Sequence, residues 1–147
     1  MKYFRHLILR LLLIIVGIIF LSGIAFAQTL IVALGDSLTE GFGVSREEAY
    51  PYLLEKALLR KGYVVKVINA GISGSTSASA YSRLKWYIRT KPDIVILALG
   101  GNDGLRGLSV EHMKKNLSKS IELAQSEKIL VLLAGMQIPL NYGTEYT

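Results

Sequence analysis

Three short polar clusters contain the residue types that acyl transfer to a serine requires. They occupy residues 35–41 (GDSLTEG), 69–76 (NAGISGST) and 100–104 (GGNDG), and each follows a short, largely apolar run. A serine hydroxyl at a turn from a strand into a helix is a candidate nucleophile. Ser37 in the first cluster is therefore the candidate nucleophile.

The three clusters also supply donors for the oxyanion that forms when a serine attacks a carbonyl. We expect these donors to be the backbone N–H groups of Ser37 and Gly74 and the side-chain amide of Asn102. One such donor can stabilise a transition state by about 3–4 kcal/mol. We expect this site to require the glycine at position 74, because a side chain there would block the approach of the substrate carbonyl.

Each cluster taken alone has a purely structural interpretation. The first could be a tight turn in which Asp36 or Ser37 caps the next helix. The second could be an ordinary loop and N-cap, and the third is a good generic turn. The three clusters together favour acyl transfer, because they combine a nucleophile with several oxyanion donors.

The rest of the sequence alternates short apolar runs with amphipathic stretches. The apolar runs predict four strands, the third and fourth of them buried, at residues 30–34, 64–68, 94–99 and 129–134. Helical spacing predicts three helices, at residues 50–62, at residues 77–90 and after Ser109, which is expected to be an N-cap. Alternation of strands and helices predicts an α/β sandwich with a parallel sheet. Ligands bind beyond the carboxyl ends of such strands, so we expect the three clusters to converge at one sheet edge.

Composition limits the functional classes. The 147 residues suit one domain at most. The net charge of +6 comes partly from the first 27 residues, without which 14 basic and 11 acidic side chains give +3. No long basic run is present, so nucleic acid is not an expected partner. The absence of cysteine excludes a disulfide scaffold and a thiol nucleophile, and neither a P-loop nor a complete dinucleotide fingerprint occurs.

Residues 1–27 have the three parts of an export signal. Lys2 and Arg5 form a basic start, an apolar stretch covers residues 11–21, and Ala25-Phe26-Ala27 precedes Gln28. We expect cleavage after Ala27 and a periplasmic or secreted domain at residues 28–147. The alternative is an uncleaved inner-membrane anchor, because the apolar stretch is nearly long enough to span a bilayer.

The clusters resemble the conserved blocks of the GDSL/SGNH hydrolases. Residues 35–38 resemble the first block, Gly74 the glycine of the second and residues 101–103 the asparagine block. The similarity extends in order and spacing over residues 28–147, and is closest to the thioesterase/lysophospholipase and arylesterase members. It implies a three-layer, flavodoxin-like α/β/α fold, an acyl-enzyme on Ser37, no cofactor or metal, and a loop at residues 138–146 beside the acyl pocket.

The resemblance also implies a Ser–His–Asp triad, of which this chain has only the serine. The family carries its triad Asp and His late in the chain, in an Asp-x-x-His block that does not occur here. His6 lies in the predicted leader, and His112 is expected to be a surface residue of the third helix rather than the base. We therefore expect an incomplete reading frame that lacks the last strand and helix. Alone, such a chain should be nearly inactive, with its fourth strand exposed.

The function predicted from these observations is hydrolysis of carboxylic esters. The expected substrates are small acyl esters or lysophospholipids, with acyl thioesters as a further class, and membrane contact is expected only through the leader or a lipid substrate. Two alternatives stay open. One is a glycan O-deacetylase of the same fold, and the other is a non-catalytic binding module that lacks the histidine base.

Overall fold

The computed structural model describes residues 27–137, together with residues 3, 6 and 139. The four strands are β1 (Thr29–Gly35), β2 (Val65–Gly71), β3 (Ile94–Ala98) and β4 (Leu130–Leu133). The helices are α1 (Ser37–Glu40), α2 (Tyr50–Arg60), α3 (Ala80–Tyr87), α4 (Gly101–Leu105) and α5 (Val110–Ser126). Two 3₁₀ turns, Ser77–Ser79 and Ile88–Thr90, flank α3.

The four strands form one parallel sheet in the order β2-β1-β3-β4. Gly35 at the end of β1 pairs with Gly71 of β2 on one side and with Ala98 of β3 on the other. Strands β1, β2 and β3 therefore end at the same level. This register brings the segments that follow them to one edge of the sheet, as the sequence predicts.

Successive residues of β1 face opposite sides of the sheet, and each side has its own core. Val32 and Leu34 belong to a cluster with Leu84 of α3 and Ala124 of α5. Ile31 and Ala33 belong to a second cluster, against which Tyr50, Leu54 and Leu58 of α2 pack. Helices thus flank both faces of the sheet, which confirms the predicted three-layer α/β/α architecture.

Several element boundaries agree with local signals in the sequence. Proline occupies the second position of α2, and the Ser109 side chain accepts a hydrogen bond from the His112 N–H as the N-cap of α5. The helix predicted at residues 77–90 is instead α3 between its two 3₁₀ turns. The second of these turns ends where Lys91 adopts a positive φ of 53° directly before Pro92.

The side chains of β4 differ from the sequence prediction. Its apolar composition predicts a buried strand, but Leu130 and Leu132 are 66% and 57% exposed. Both face the α2 side of the sheet, because they pair with Ile94 and Ile96. Strand β4 lies at the edge of the described sheet, and its exposure agrees with the expectation that this strand would be left uncovered.

Two predictions concern residues outside this description. The leader at residues 1–27 is described only at residues 3, 6 and 27, and the loop at residues 138–146 only at residue 139. In the part of the chain that the structure describes, no helix has both the length and the apolar character needed to cross a membrane.

Candidate active site

Ser37 is the first residue of α1, directly beyond the carboxyl end of β1. The preceding residue, Asp36, is the N-cap of this helix and is buried. Its Oδ1 atom accepts a hydrogen bond of 3.0 Å from the Leu38 N–H. Asp36 therefore caps the helix, as the purely structural interpretation of this cluster proposed. Ser37, beside it, is partly exposed.

Two glycines allow α1 to lie directly over the strand ends. A Cβ atom on Gly35 would overlap the side chain of buried Thr39, and one on Gly71 would overlap the backbone of Glu40. Thr39 is fixed further by a 3.3 Å hydrogen bond between its hydroxyl and that of Tyr50. The glycine of the GDS sequence is thus required by the packing of the helix that carries Ser37.

The Asn102 side chain joins all three clusters. Its Nδ2 atom donates to Ser75 O at 3.0 Å and to Asp36 Oδ2 at 3.3 Å. Asn102 lies in α4, directly after the third strand, so one amide connects the segments beyond β1, β2 and β3. Both of its N–H groups have protein acceptors here. An oxyanion bound at this site would therefore take the place of one of them, and the longer bond to Asp36 is the weaker.

Gly74 needs to be glycine for a conformational reason. Its φ of 76° lies in the left-handed region, where side chains are strained. A Cβ atom at this position would also lie 3.3 Å from Nη2 of Arg106, which donates to Gly74 O at 2.9 Å. The sequence predicts that glycine at position 74 admits the substrate. The structure shows two further reasons for glycine there, the left-handed backbone and the nearby side chain of Arg106.

A carboxylate joins α1 to the loop that contains Gly74. Glu40 accepts hydrogen bonds from the Ser73 hydroxyl and, at 2.6 Å, from the Ser73 N–H. Both bonds lower the pKa of Glu40, and the bond from the hydroxyl has the larger effect. No sequence pattern predicts this contact, because Glu40 and Ser73 are 33 positions apart.

Asp103 forms a buried polar connection behind the site. Its Oδ2 and Oδ1 atoms accept from the N–H and hydroxyl of Ser77 at 2.8 and 2.5 Å. The Ser77 hydroxyl also accepts a 3.0 Å bond from Nδ2 of Asn116 in α5. Asp103 is the neighbour of Asn102 in α4. It thereby attaches that helix to the 3₁₀ turn that precedes α3.

The structure brings Ser37, Gly74 and Asn102 to one edge, and among the described residues no histidine side chain bonds to any of them. His112 lies exposed in the first turn of α5. Within residues 27–137, no hydrogen bond joins its imidazole to Ser37, and no group of three metal-ligating side chains is present.

The whole arrangement matches a known family. Residues 33–146 match the model of the GDSL-like Lipase/Acylhydrolase family. The chain therefore belongs to this family of hydrolases, and the sheet with its flanking helices is the SGNH hydrolase fold.

Three curated relatives are similar over most of this chain. Esterase TesA of Pseudomonas aeruginosa is 41% identical over 131 residues, which are 88% of this chain and 65% of that protein. Arylesterase of Vibrio mimicus is 39% identical over 86% of this chain and 64% of its own length. Thioesterase 1/protease 1/lysophospholipase L1 of Escherichia coli K12 is 37% identical over 83% of this chain and 57% of that protein. The chain thus spans about two thirds or less of each relative's length.

A solved structure supports the same conclusion. AlinE4, described as an SGNH-hydrolase family esterase, superposes with a TM-score of 0.77 at 44% sequence identity. The match covers 82% of this chain and 65% of that structure.

Proposed function

We propose that this chain carries the nucleophile and oxyanion donors of a serine esterase. The observation that supports this proposal most directly is the Asn102 amide, which lies between Asp36 and Ser75 and so places its donors beside the residue that precedes Ser37. A substrate carbonyl bound there would have the serine hydroxyl and several N–H donors around it.

In the proposed reaction, the Ser37 oxygen forms a bond to the ester carbonyl carbon and its proton passes to a general base. The carbonyl oxygen becomes an oxyanion that accepts hydrogen bonds from Asn102 and from the N–H groups of Ser37 and Gly74. Collapse breaks the bond to the alcohol, which takes the proton from the base. Water then attacks the acyl-enzyme by the same steps and releases the acid.

The proposed base is a histidine of an Asp-x-x-His block outside these 147 residues. A serine hydroxyl without a base stays protonated near neutral pH and is a weak nucleophile. No Asp-x-x-His occurs in the chain, since none of its aspartates has a histidine three residues later. These aspartates are Asp36, Asp93 and Asp103. Reading the gene past the codon for Thr147 tests this point. An Asp-x-x-His block in frame is expected, whereas a stop codon would favour the non-catalytic alternative.

The proposed substrates are aryl esters and lysophospholipids, with acyl thioesters as a further class. The names of the arylesterase and lysophospholipase relatives support this range. A panel of p-nitrophenyl esters with acyl chains of two to about sixteen carbons, lysophosphatidylcholine and acetylated xylan separates the classes. We expect turnover to depend on acyl length. Cleavage of acetylated xylan with no turnover of longer acyl chains would support glycan deacetylation instead.

A pair of variants of the complete gene product tests the nucleophile. Ser37→Ala should reduce kcat on p-nitrophenyl butyrate by several orders of magnitude, as the loss of a triad member does elsewhere. Ser126→Ala is the matched control, because this exposed serine only donates to Leu123 O at the end of α5. Equal activity of both variants would contradict the proposal.

We also propose that residues 1–27 direct the protein across the inner membrane, with residues 28–147 belonging to the exported domain. N-terminal sequencing of protein from the periplasmic fraction should start at Gln28. Recovery of the intact chain in the membrane fraction would indicate the uncleaved anchor, and recovery in the cytoplasm would contradict export.

A further inference from the structure

One arginine contacts the ends of β1 and β2, two of the three strands that lead into the site. Arg83, in α3, is partly buried. Its Nη2 atom donates to Gly35 O at 3.0 Å and also to Ala70 O. Its Nη1 atom lies 3.5 Å from the Ser79 hydroxyl. The guanidinium therefore contacts the strand that precedes Ser37, and both ends of the segment that contains Gly74.

The position of Arg83 carries a free-energy cost. Its Nε atom is buried and has no hydrogen-bond partner among the residues that the structure describes. Burial lowers the pKa of Arg83, and the neighbouring Tyr87 and Asp36 oppose this effect. A buried donor without a partner destabilises the folded state. An apolar side chain would avoid this cost but could not donate to Gly35 O and Ala70 O, so the contacts with these two strand ends are what an arginine adds at this position.

The contact with Gly35 fixes the chain on one side of the nucleophile. Gly35 O belongs to the peptide between residues 35 and 36, and it also accepts a 3.2 Å bond from the Ile72 N–H. On the other side, the Asp36 carboxylate holds the Leu38 N–H. Ser37 lies between these two fixed points, so the direction of its N–H and hydroxyl depends on both.

The contact with Ala70 fixes the second cluster relative to the first. Ala70 is followed by the loop that carries Gly74, and Ser79 lies at the far end of that loop. Because one rigid guanidinium contacts all three positions, the loop and the Ser37 turn share a common support. A planar guanidinium can donate to two carbonyl groups in one plane, which the single ammonium of lysine does less well.

We propose that Arg83 is a positioning residue for the reaction, which sets the relative placement of the Ser37 hydroxyl and the Gly74 N–H. This inference rests on the esterase function proposed above. It predicts that loss of the guanidinium slows the chemical step, while the binding of the ester substrate changes little.

The test compares Arg83→Met and Arg83→Lys with Arg89→Met in the complete gene product. Arg89 is a matched control because it is an exposed arginine just beyond the same helix. With p-nitrophenyl butyrate, kcat of Arg83→Met should fall on the order of 10- to 100-fold with KM within about threefold, since small displacements of reacting groups have effects of this size. Arg83→Lys should lie between wild type and Arg83→Met, and Arg89→Met should match wild type. All rates are taken at a temperature where circular dichroism shows each variant folded.

Chemical rescue separates positioning from a general loss of structure. In Arg83→Ala, added guanidinium chloride at a concentration too low to unfold the protein should restore part of kcat, whereas sodium chloride at the same ionic strength should not. Loss of kcat without any rescue would assign Arg83 a purely structural role and overturn the proposal.

Other outcomes are equally decisive. A folded Arg83→Met variant with wild-type kcat overturns the inference. If that variant does not fold, Arg83→Lys decides in its place, and unchanged kcat again contradicts the proposal. Ser37→Ala is measured alongside. Hydrolysis that survives Ser37→Ala refutes the proposed function itself, while its loss combined with fully active Arg83 variants refutes only the role of Arg83.

Discussion

The side-chain amide of Asn102 lies 3.3 Å from the carboxylate of Asp36, although the two residues are 66 positions apart. This contact connects the segment beyond β3 to the residue that precedes the candidate nucleophile. The same amide donates to Ser75 O, so the segment beyond β2 is held as well. A single side chain thus assembles the three clusters that the sequence contains.

Replacement of Asn102 should affect the chemical step more than substrate binding. Asn102→Ala removes one proposed oxyanion donor, and we expect kcat to fall about 10²- to 10³-fold with little change in KM. Steady-state kinetics on p-nitrophenyl butyrate provides the measurement. A variant with unchanged kcat would remove Asn102 from the oxyanion site.

The carboxylate of Glu40 should support the loop that carries Gly74. Glu40→Gln weakens the acceptor for the Ser73 N–H and hydroxyl, so kcat should fall on the order of three- to tenfold through displacement of the loop. Glu48→Gln is the control, because Glu48 makes the same pair of bonds to Ser45 in the loop after α1. Equal effects of the two substitutions on kcat would contradict a specific role for Glu40.

The Glu40–Ser73 contact should also depend on pH. Hydrogen bonds from Ser73 lower the pKa of Glu40 in the folded protein, so the contact contributes stability that is fully present above the unfolded-state pKa of this glutamate. That contribution is lost as the pH falls through the lower folded-state pKa. The Ser73 amide signal in ¹H–¹⁵N spectra should shift in this acidic range in wild type, and the shift should be absent in Glu40→Gln. A shift that persists in the variant would have another cause.

Removal of the Ser77 hydroxyl should destabilise the fold. The hydroxyl is completely buried and donates to the buried Asp103 carboxylate. Ser77→Ala leaves that oxygen without this donor, and the free energy of unfolding should decrease by about 1–3 kcal/mol. Urea denaturation measures the change. Ser126→Ala, at an exposed position, should change the stability by less than about 0.5 kcal/mol, and a similar loss in both variants would argue against the buried connection.

The close packing of α1 on β2 should make Gly71 intolerant of a side chain. A Cβ atom at this position would overlap the backbone of Glu40, which cannot move without moving α1. We expect Gly71→Ala to lower the free energy of unfolding by about 1–3 kcal/mol or more. Gly135→Ala is the matched control, because no heavy atom of the described residues lies within 4 Å of its Cβ position. Equal stability of the two variants in urea would contradict this packing.

Local patterns were sufficient to predict the order of strands and helices and the convergence of the three clusters. Apolar runs indicated the strands, and the parallel sheet brought Ser37, Gly74 and Asn102 to the same edge. The apolar composition of β4 wrongly indicated a buried strand, because burial depends on what packs against a strand. Its exposure was expected only from the absence of the family's last strand and helix.

Contacts between distant polar residues were also beyond sequence reasoning. Glu40 and Ser73, or Asp103 and Ser77, have no pattern of spacing that indicates their pairing. Arg83 lies in an amphipathic stretch whose polar residues are normally exposed. Only the fold shows that its guanidinium points under the strand ends, where it meets Gly35 and Ala70.

Covalent labelling is the sharpest test of Ser37 as the nucleophile. The complete gene product is treated with a fluorophosphonate, digested, and examined by mass spectrometry for the modified peptide. We expect a single adduct on Ser37, lost in Ser37→Ala and retained in Ser126→Ala. An adduct on another serine, or labelling that survives Ser37→Ala, would contradict this assignment.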